Sequence, residues 1–225
     1  MTDERMAAFL RSVRPELPPY LASVGTEARR EFVPIIKEEA QSLIMTLITA
    51  LAPQNILEIG TAVGFSALLM REYAPRGCHI TTIESSGKRA KAARGHFRDA
   101  GAEEDITLVE DDALAVLPSL TDTYDFIFLD GAKGQYITML DDLIRLLGEG
   151  GVLVSDNVLQ EGDILESRYV IRQRDRTIHT RMREYLHALT HTDCLCTSVL
   201  SAGDGITVSV KRREKQCSVT GKELR

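Results

Sequence analysis

Asp130, Asp156 and Asn157 are the residues in this chain best suited to hold a cation. Each comes at the end of a short apolar run, Tyr124–Leu129 before Asp130 and Val152–Ser155 before the Asp156-Asn157 pair. Oxygen ligands alone suit a hard cation such as Mg²⁺ or Ca²⁺. Three protein oxygens leave positions for water and a substrate, so a catalytic cation fits better than a structural one. Lys133 follows Asp130 within a turn. An ammonium beside a divalent cation loses its proton more easily and can act as a base; without the cation, Lys133 reads as a surface lysine. Glu58, Glu84 and Asp112 also fall at or just after apolar runs. Any one of these acids could be only a turn former. Together they suggest five carboxylates along one edge of a sheet.

The elements that must position them begin at Asn55–Ser66. A short apolar run there closes on Glu58 and Gly60, Gly64 follows four residues later, and helical spacing then takes over. This is a buried parallel strand, a tight turn and a helix start, the usual α/β device for holding a nucleotide-like ligand. The spacing is not G-x-G-x-x-G, and no Lys-Ser/Thr pair is present to cradle phosphates. A ligand with a neutral or cationic centre fits, and S-adenosylmethionine is the common example. Glu84, 24 residues after Gly60, is placed to accept two ribose hydroxyls. Asp112-Ala113 could meet an adenine amino group while leaving room for the ring.

Strands are expected at 56–59, 79–83, 106–110, 124–129 and 152–155, with helices between them. A helix follows at roughly 171–190. The last two strands, Leu195–Leu200 and Ile206–Val210, read as a hairpin around Gly203-Asp204-Gly205. The predicted fold is α/β, a doubly wound, Rossmann-like sheet of five parallel strands plus a C-terminal antiparallel hairpin. Residues 1–33 read as an N-terminal helical segment, 34–211 as the ligand-binding domain and 212–225 as a polar, disordered tail. In the first segment Met6, Phe9, Leu10 and Val13 have helical spacing, which Pro15, Pro18 and Pro19 end; Pro34 is expected to open the next helix.

At 225 residues the chain suits one domain, and 44% hydrophobic with 27% charged residues is ordinary. No apolar run is long enough to span a membrane and no signal-peptide pattern is visible, so a cytoplasmic protein is expected. A net charge of −6 argues against non-specific nucleic-acid coating but leaves room for a local basic patch. Four cysteines are too few and too unevenly placed for a disulfide framework; Cys194 and Cys196 are expected as buried thiols on one face of a strand.

The ordered set ILEIGTAVGFSA, TTIES, EDDA, FIFLDGAKGQY and GGVLVSDNVLQEG resembles the cation-dependent O-methyltransferase family that includes catechol and caffeoyl-CoA methyltransferases. The resemblance covers about residues 30–211. It implies a class I methyltransferase sheet with S-adenosylmethionine contacted by Ile36, Glu58, Gly60, Ser66, Glu84, Asp112, Ala113 and Asp130. It further implies Mg²⁺ on Asp130, Asp156 and Asn157, with Lys133 as the base, and a homodimer. From Asp156 to His191 the chain resembles the bacterial tRNA 5-hydroxyuridine methyltransferase branch, which makes 5-methoxyuridine at the wobble position. Residues 165–183 carry six arginines (168, 172, 174, 176, 181 and 183) against Glu166 and Asp175. That local reversal of sign fits a phosphate-binding patch for a tRNA anticodon loop, with Arg168, Arg172, Arg174 and Arg176 as candidates. A solvated helix face laced with ion pairs is the alternative. His187 and His191, four apart, lack a third ligand and read as ordinary helix residues. The expected activity is Mg²⁺-dependent methyl transfer to 5-hydroxyuridine in tRNA. The alternatives are a catechol-like or CoA-linked small molecule as acceptor, or a non-catalytic cofactor- or RNA-binding protein.

Overall fold

A computed structural model of the chain describes residues 5, 8, 9, 12–167 and 169–213. Met6, Leu10, Arg168 and the tail from residue 214 lie outside the described residues. Seven strands among them form one sheet: β1 (Asn55–Ile59), β2 (His79–Ile83), β3 (Ile106–Val109), β4 (Tyr124–Leu129), β5 (Leu147–Asp156), β6 (Leu195–Leu200) and β7 (Ile206–Lys211). Their order is β3-β2-β1-β4-β5-β7-β6. The first five run parallel, and β7 is antiparallel to both β5 and β6. The chain reverses its direction of winding between β1 and β4, where a doubly wound sheet opens a crevice at the carboxyl ends of its strands.

Side-chain alternation along the strands divides the core into two layers. Ile56, Ile80, Phe126, Phe128, Val152 and Val154 face one way. Packed on that face are α1 (Pro19–Arg30), α2 (Glu38–Leu51), α3 (Phe65–Tyr73) and α4 (Gly87–Asp99). Leu57, Ile59, Ile127, Leu129 and Leu153 face the other way, against α6 (Tyr136–Leu146) and α7 (Arg176–His191). A short α5 (Ala113–Val116) follows β3. No described helix is long and apolar enough to cross a membrane.

The structure departs from the sequence expectations at several proline and glycine positions. Pro18 and Pro19 open α1 rather than closing an earlier helix, because Pro19 sits in the first turn, where its missing N–H costs nothing. Pro34 opens no helix. Residues 34–37 stay non-helical, with Lys37 extended at φ −64° and ψ 155°, and α2 begins at Glu38 with Glu38 and Glu39 in its first, electropositive turn. Gly148, Gly150 and Gly151 lie inside β5, across a register irregularity with β4, instead of forming a turn before it. The pair of thiols buried on one strand face is not found: Cys194 is buried just before β6, whereas Cys196 is exposed on it.

Gly60 follows β1 and packs against the backbone just after β4. Its φ is +100°, and a Cβ there would lie 2.2 Å from the Asp130 carbonyl oxygen. Gly60→Ala is therefore expected to lower stability by about 2–5 kcal/mol, from backbone strain together with the collision. Urea unfolding checks this, and an unchanged midpoint would contradict the packing described.

Candidate active site

The carboxyl edge of the sheet borders a cleft of about 560 Å³, lined by residues from every parallel strand end. Of the residues proposed from sequence for the cofactor, the cation and the base, Ile36, Gly60, Glu84, Asp112, Ala113, Asp130, Lys133, Asp156 and Asn157 line it. Two do not. Glu58 is wholly buried within β1 and Ser66 is buried in the first turn of α3. Four of the five strand-end acids thus meet in one crevice, and the fifth supports it from beneath. Position 58 falls inside its strand, facing the first helical layer, whereas Asp156 is the last residue of β5 and the other three acids follow their strands.

On the half of the cleft near β1 and β2, main-chain groups hold the acids. Both oxygens of Glu84 accept backbone amides, from Ala62 at 2.9 Å and Ser86 at 2.8 Å. The carboxylate is thereby fixed, with lone pairs left for hydroxyl donors. Asp112 caps α5, its Oδ1 accepting the Leu114 amide at 2.8 Å. Beneath the turn, Thr82 donates to Glu58 at 2.5 Å, while Glu58 Oε1 has no hydrogen-bond partner. Burial pushes the Glu58 carboxyl up to about 7, with the Ser66 and Thr82 hydroxyls pulling the other way.

The β4 and β5 half carries the concentrated charge. Leu129 and Ser155 pair in register, so Asp130 and Asp156 end neighbouring strands. Burial, and then the Asp156 charge, push the Asp130 carboxyl up to about 8, against the pull of the Lys133 ammonium. Asp156 is also raised by burial, against the pull of the Asn157 amide and Lys133. Asp156 is 2% exposed, with Oδ1 accepting the Asn157 amide at 2.7 Å and Oδ2 lacking any partner. Asn157 itself adopts a left-handed conformation, φ 57°, which Asn tolerates better than most residues. The orphaned oxygen, the mutual repulsion of two buried acids and the adjacent amide fit a hard cation held by Asp130, Asp156 and Asn157. Among the described residues no group of three or more His, Cys, Asp or Glu forms a metal cluster. The trio is two carboxylates and an amide.

A second cavity of about 290 Å³ adjoins the first through Lys133 and Asp204, which line both. Its other walls are Gln160, Asp163, Ile171, Asp175 and Ile178, from the segment after β5 and the start of α7. Asp204 and Lys37 escaped the sequence reading. Asp204 lies in what reads as an ordinary Gly-Asp-Gly hairpin turn, and Lys37 in a stretch expected to be helical. Their only signal is charge at positions that chain folding brings to the site.

Much of the arginine-rich stretch is engaged within the fold. Arg176 donates to the Ile171 and Tyr169 carbonyls, Arg181 to Gly134 and Arg183 to Ile164. Arg172 and Arg174 are exposed, with Arg174 Nε 3.3 Å from Asp175. Beside them Tyr169 is 85% exposed and Val170 is 70% exposed. His187 and His191 stack on each other on the exposed side of α7.

An acid whose pKa is raised by folding keeps its proton in the native state after the unfolded chain has released it. Asp130 therefore lowers stability as pH rises from about 4, its unfolded value, through about 8. In EDTA the protein should lose on the order of 2 kcal/mol of unfolding free energy between pH 6 and pH 8, and Asp130→Asn should lose less. Equal slopes for the two proteins in denaturant titrations would show that Asp130 is not the buried acid responsible.

Residues 16–212 match the sequence profile of a family described as O-methyltransferase. The chain is 34% identical over 162 residues to the catechol O-methyltransferase of Mycobacterium tuberculosis, spanning 70% of this chain and 73% of that one. It is 26% identical over 180 residues to tapetum-specific methyltransferase 1 of Arabidopsis thaliana, spanning 78% and 76%. The crystal structure of an S-adenosylhomocysteine-bound methyltransferase from Podospora anserina shares the fold, with a TM-score of 0.84 at 24% identity over 94% of this chain and 95% of that one. The strand order, the acid-lined cleft and the extent of these matches agree: the chain belongs to the O-methyltransferase family.

Proposed function

We propose that the protein transfers the methyl group of S-adenosylmethionine to a ring hydroxyl that has a second oxygen beside it, and that this acceptor is 5-hydroxyuridine at the tRNA wobble position, giving 5-methoxyuridine. The observation that carries the reading is an oxygen-rich corner of the larger cavity, formed by Asp130, Asp156 and Asn157, with Lys133 and Asp204 shared between that cavity and the smaller one. The larger cavity has the size and lining for the cofactor: Glu84 for the ribose hydroxyls, Asp112 and Ala113 for the adenine, and Ile36 at the methionine end. The smaller one, walled by Ile171 and Ile178, suits a flat ring. Mg²⁺ held by the trio would supply charge stabilisation for the acceptor oxygen as its proton leaves. Lys133, which lines both cavities, is the group positioned to take that proton, which it would do in its neutral amine form. The hydroxyl oxygen then forms its new bond to the methyl carbon while the carbon–sulfur bond breaks, and S-adenosylhomocysteine departs. Positioning supplies most of the rate, since the cofactor already carries the reactive carbon.

In 5-hydroxyuridine the 5-hydroxyl and 4-carbonyl are adjacent oxygens, the same arrangement that a catechol offers. A wobble base lies in an exposed loop and can be splayed into a pocket without opening a duplex. Exposed Arg172 and Arg174 beside the bare ring of Tyr169 are the right chemistry for a single-stranded loop, cations for phosphate and an aromatic face for stacking. They adjoin Ile171, which lines the acceptor cavity. Arg176, occupied by two carbonyls, is better suited to shaping this loop than to holding phosphate. The 34% identity to a catechol O-methyltransferase favours a second reading, a catechol-like small molecule as acceptor. A non-catalytic binding protein is disfavoured by the intact trio.

The test is methyl transfer from labelled S-adenosylmethionine to 5-hydroxyuridine-containing tRNA and, separately, to catechol, with Mg²⁺ or EDTA. Label is expected in tRNA, lost with EDTA. Label in catechol and none in tRNA would overturn the RNA reading. Arg172→Glu with Arg174→Glu should raise KM for tRNA at least about tenfold and reduce its salt dependence, with kcat little changed.

A further inference from the structure

Asn157 can ligate a cation only through its amide oxygen, so its NH₂ group must be turned away and given an acceptor. Asn157 Nδ2 lies 3.4 Å from Asp204 Oδ2. Because a carboxylate only accepts, the NH₂ end faces Asp204 and Oδ1 is left as the end available to a cation. The other oxygen of Asp204 pairs with the Lys37 ammonium. Both charges reach the trio: Asp204 pushes the Asp156 carboxyl up and Lys37 pulls it down.

Asp204 is held in place by the fold. The hairpin turn between β6 and β7 docks on the segment after β5, with the Val158 amide donating to the Gly205 carbonyl at 3.0 Å and the Leu159 amide to the Asp204 carbonyl at 2.9 Å. Gly205, at φ +87°, packs so tightly that a Cβ would lie 2.2 Å from Leu159 Cγ. Asp156 and Ile206 pair across β5 and β7, which sets the register of the whole arrangement. The turn therefore cannot slide without disturbing Asp156.

We propose that Asp204 is the positioning residue of the cation site, accepting from Asn157 Nδ2 so that Oδ1 is presented to the cation, with Lys37 fixing Asp204 in turn. This rests on the cation reading given above. Outer partners of this kind typically contribute 10–100-fold in metal affinity. The experiment is Mn²⁺ titration of the full-length protein, read from the electron paramagnetic resonance signal of free Mn²⁺, alongside circular dichroism in EDTA to verify folding. Asp204→Ala should weaken Mn²⁺ binding about 10–100-fold. Asp204→Asn, whose carbonyl can still accept from Asn157, should stay within about threefold of the wild type, a rescue that a loss of charge alone would not produce. Wild-type affinity in Asp204→Ala, or equal weakening in both variants, would overturn the role of Asp204 while leaving the cation site standing. If the wild type itself binds no Mn²⁺, the cation reading falls and this inference falls with it.

Discussion

Two carboxylates that cannot easily both be charged control this site. Asp130 and Asp156 end adjacent parallel strands, one raised to about 8 and the other with a buried, unpartnered oxygen. Burying an ionised carboxylate costs several kcal/mol unless a counter-charge is supplied. Lys133 supplies part of it and lines both cavities. What remains is a local excess of negative charge in the larger cavity, where a divalent cation would stabilise the folded chain and take part in chemistry at the same position.

The rest of the molecule can be understood as support for that corner. Gly60 lets β1 and β4 end in contact, which opens the crevice at the reversal of winding. Glu84 is clamped by two amides on the side proposed for the cofactor. The antiparallel hairpin does more than extend the sheet, because β7 pairs with the last strand of the parallel set and carries a turn that reaches back to Asn157. The segment after β5 walls the smaller cavity, and arginines bonded to its carbonyls and to Gly134 shape that wall.

The parallel strands and the acids at their ends were legible because both depend on local pattern. Buried parallel strands read as short apolar runs; Glu84 and Asp130 follow directly after them, Asp156 is the last residue of β5 and Asp112 comes three residues after β3. Where expectations failed, the deciding contact was distant in sequence or the signal was ambiguous. Glu58 reads like the other acids but falls one residue short of its strand end, and so lies below the cleft. Pro18 and Pro19 can close one helix or open another, and packing of Leu21 and Val24 in the main core favours opening. Asp204 and Lys37 are 167 residues apart, and no spacing rule links them. The arginines look alike as a run of charge, yet Arg176, Arg181 and Arg183 differ from Arg172 and Arg174 once the carbonyls of Ile171, Gly134 and Ile164 come within reach.

Manganese anomalous diffraction tests the central assignment most directly. Crystals grown with Mn²⁺ and S-adenosylhomocysteine should show one strong anomalous peak within coordinating distance of Asp130, Asp156 and Asn157 oxygens, in the larger cavity. Absence of that peak, or a peak elsewhere with this corner empty, would contradict the assignment of the acid-rich corner as the cation site.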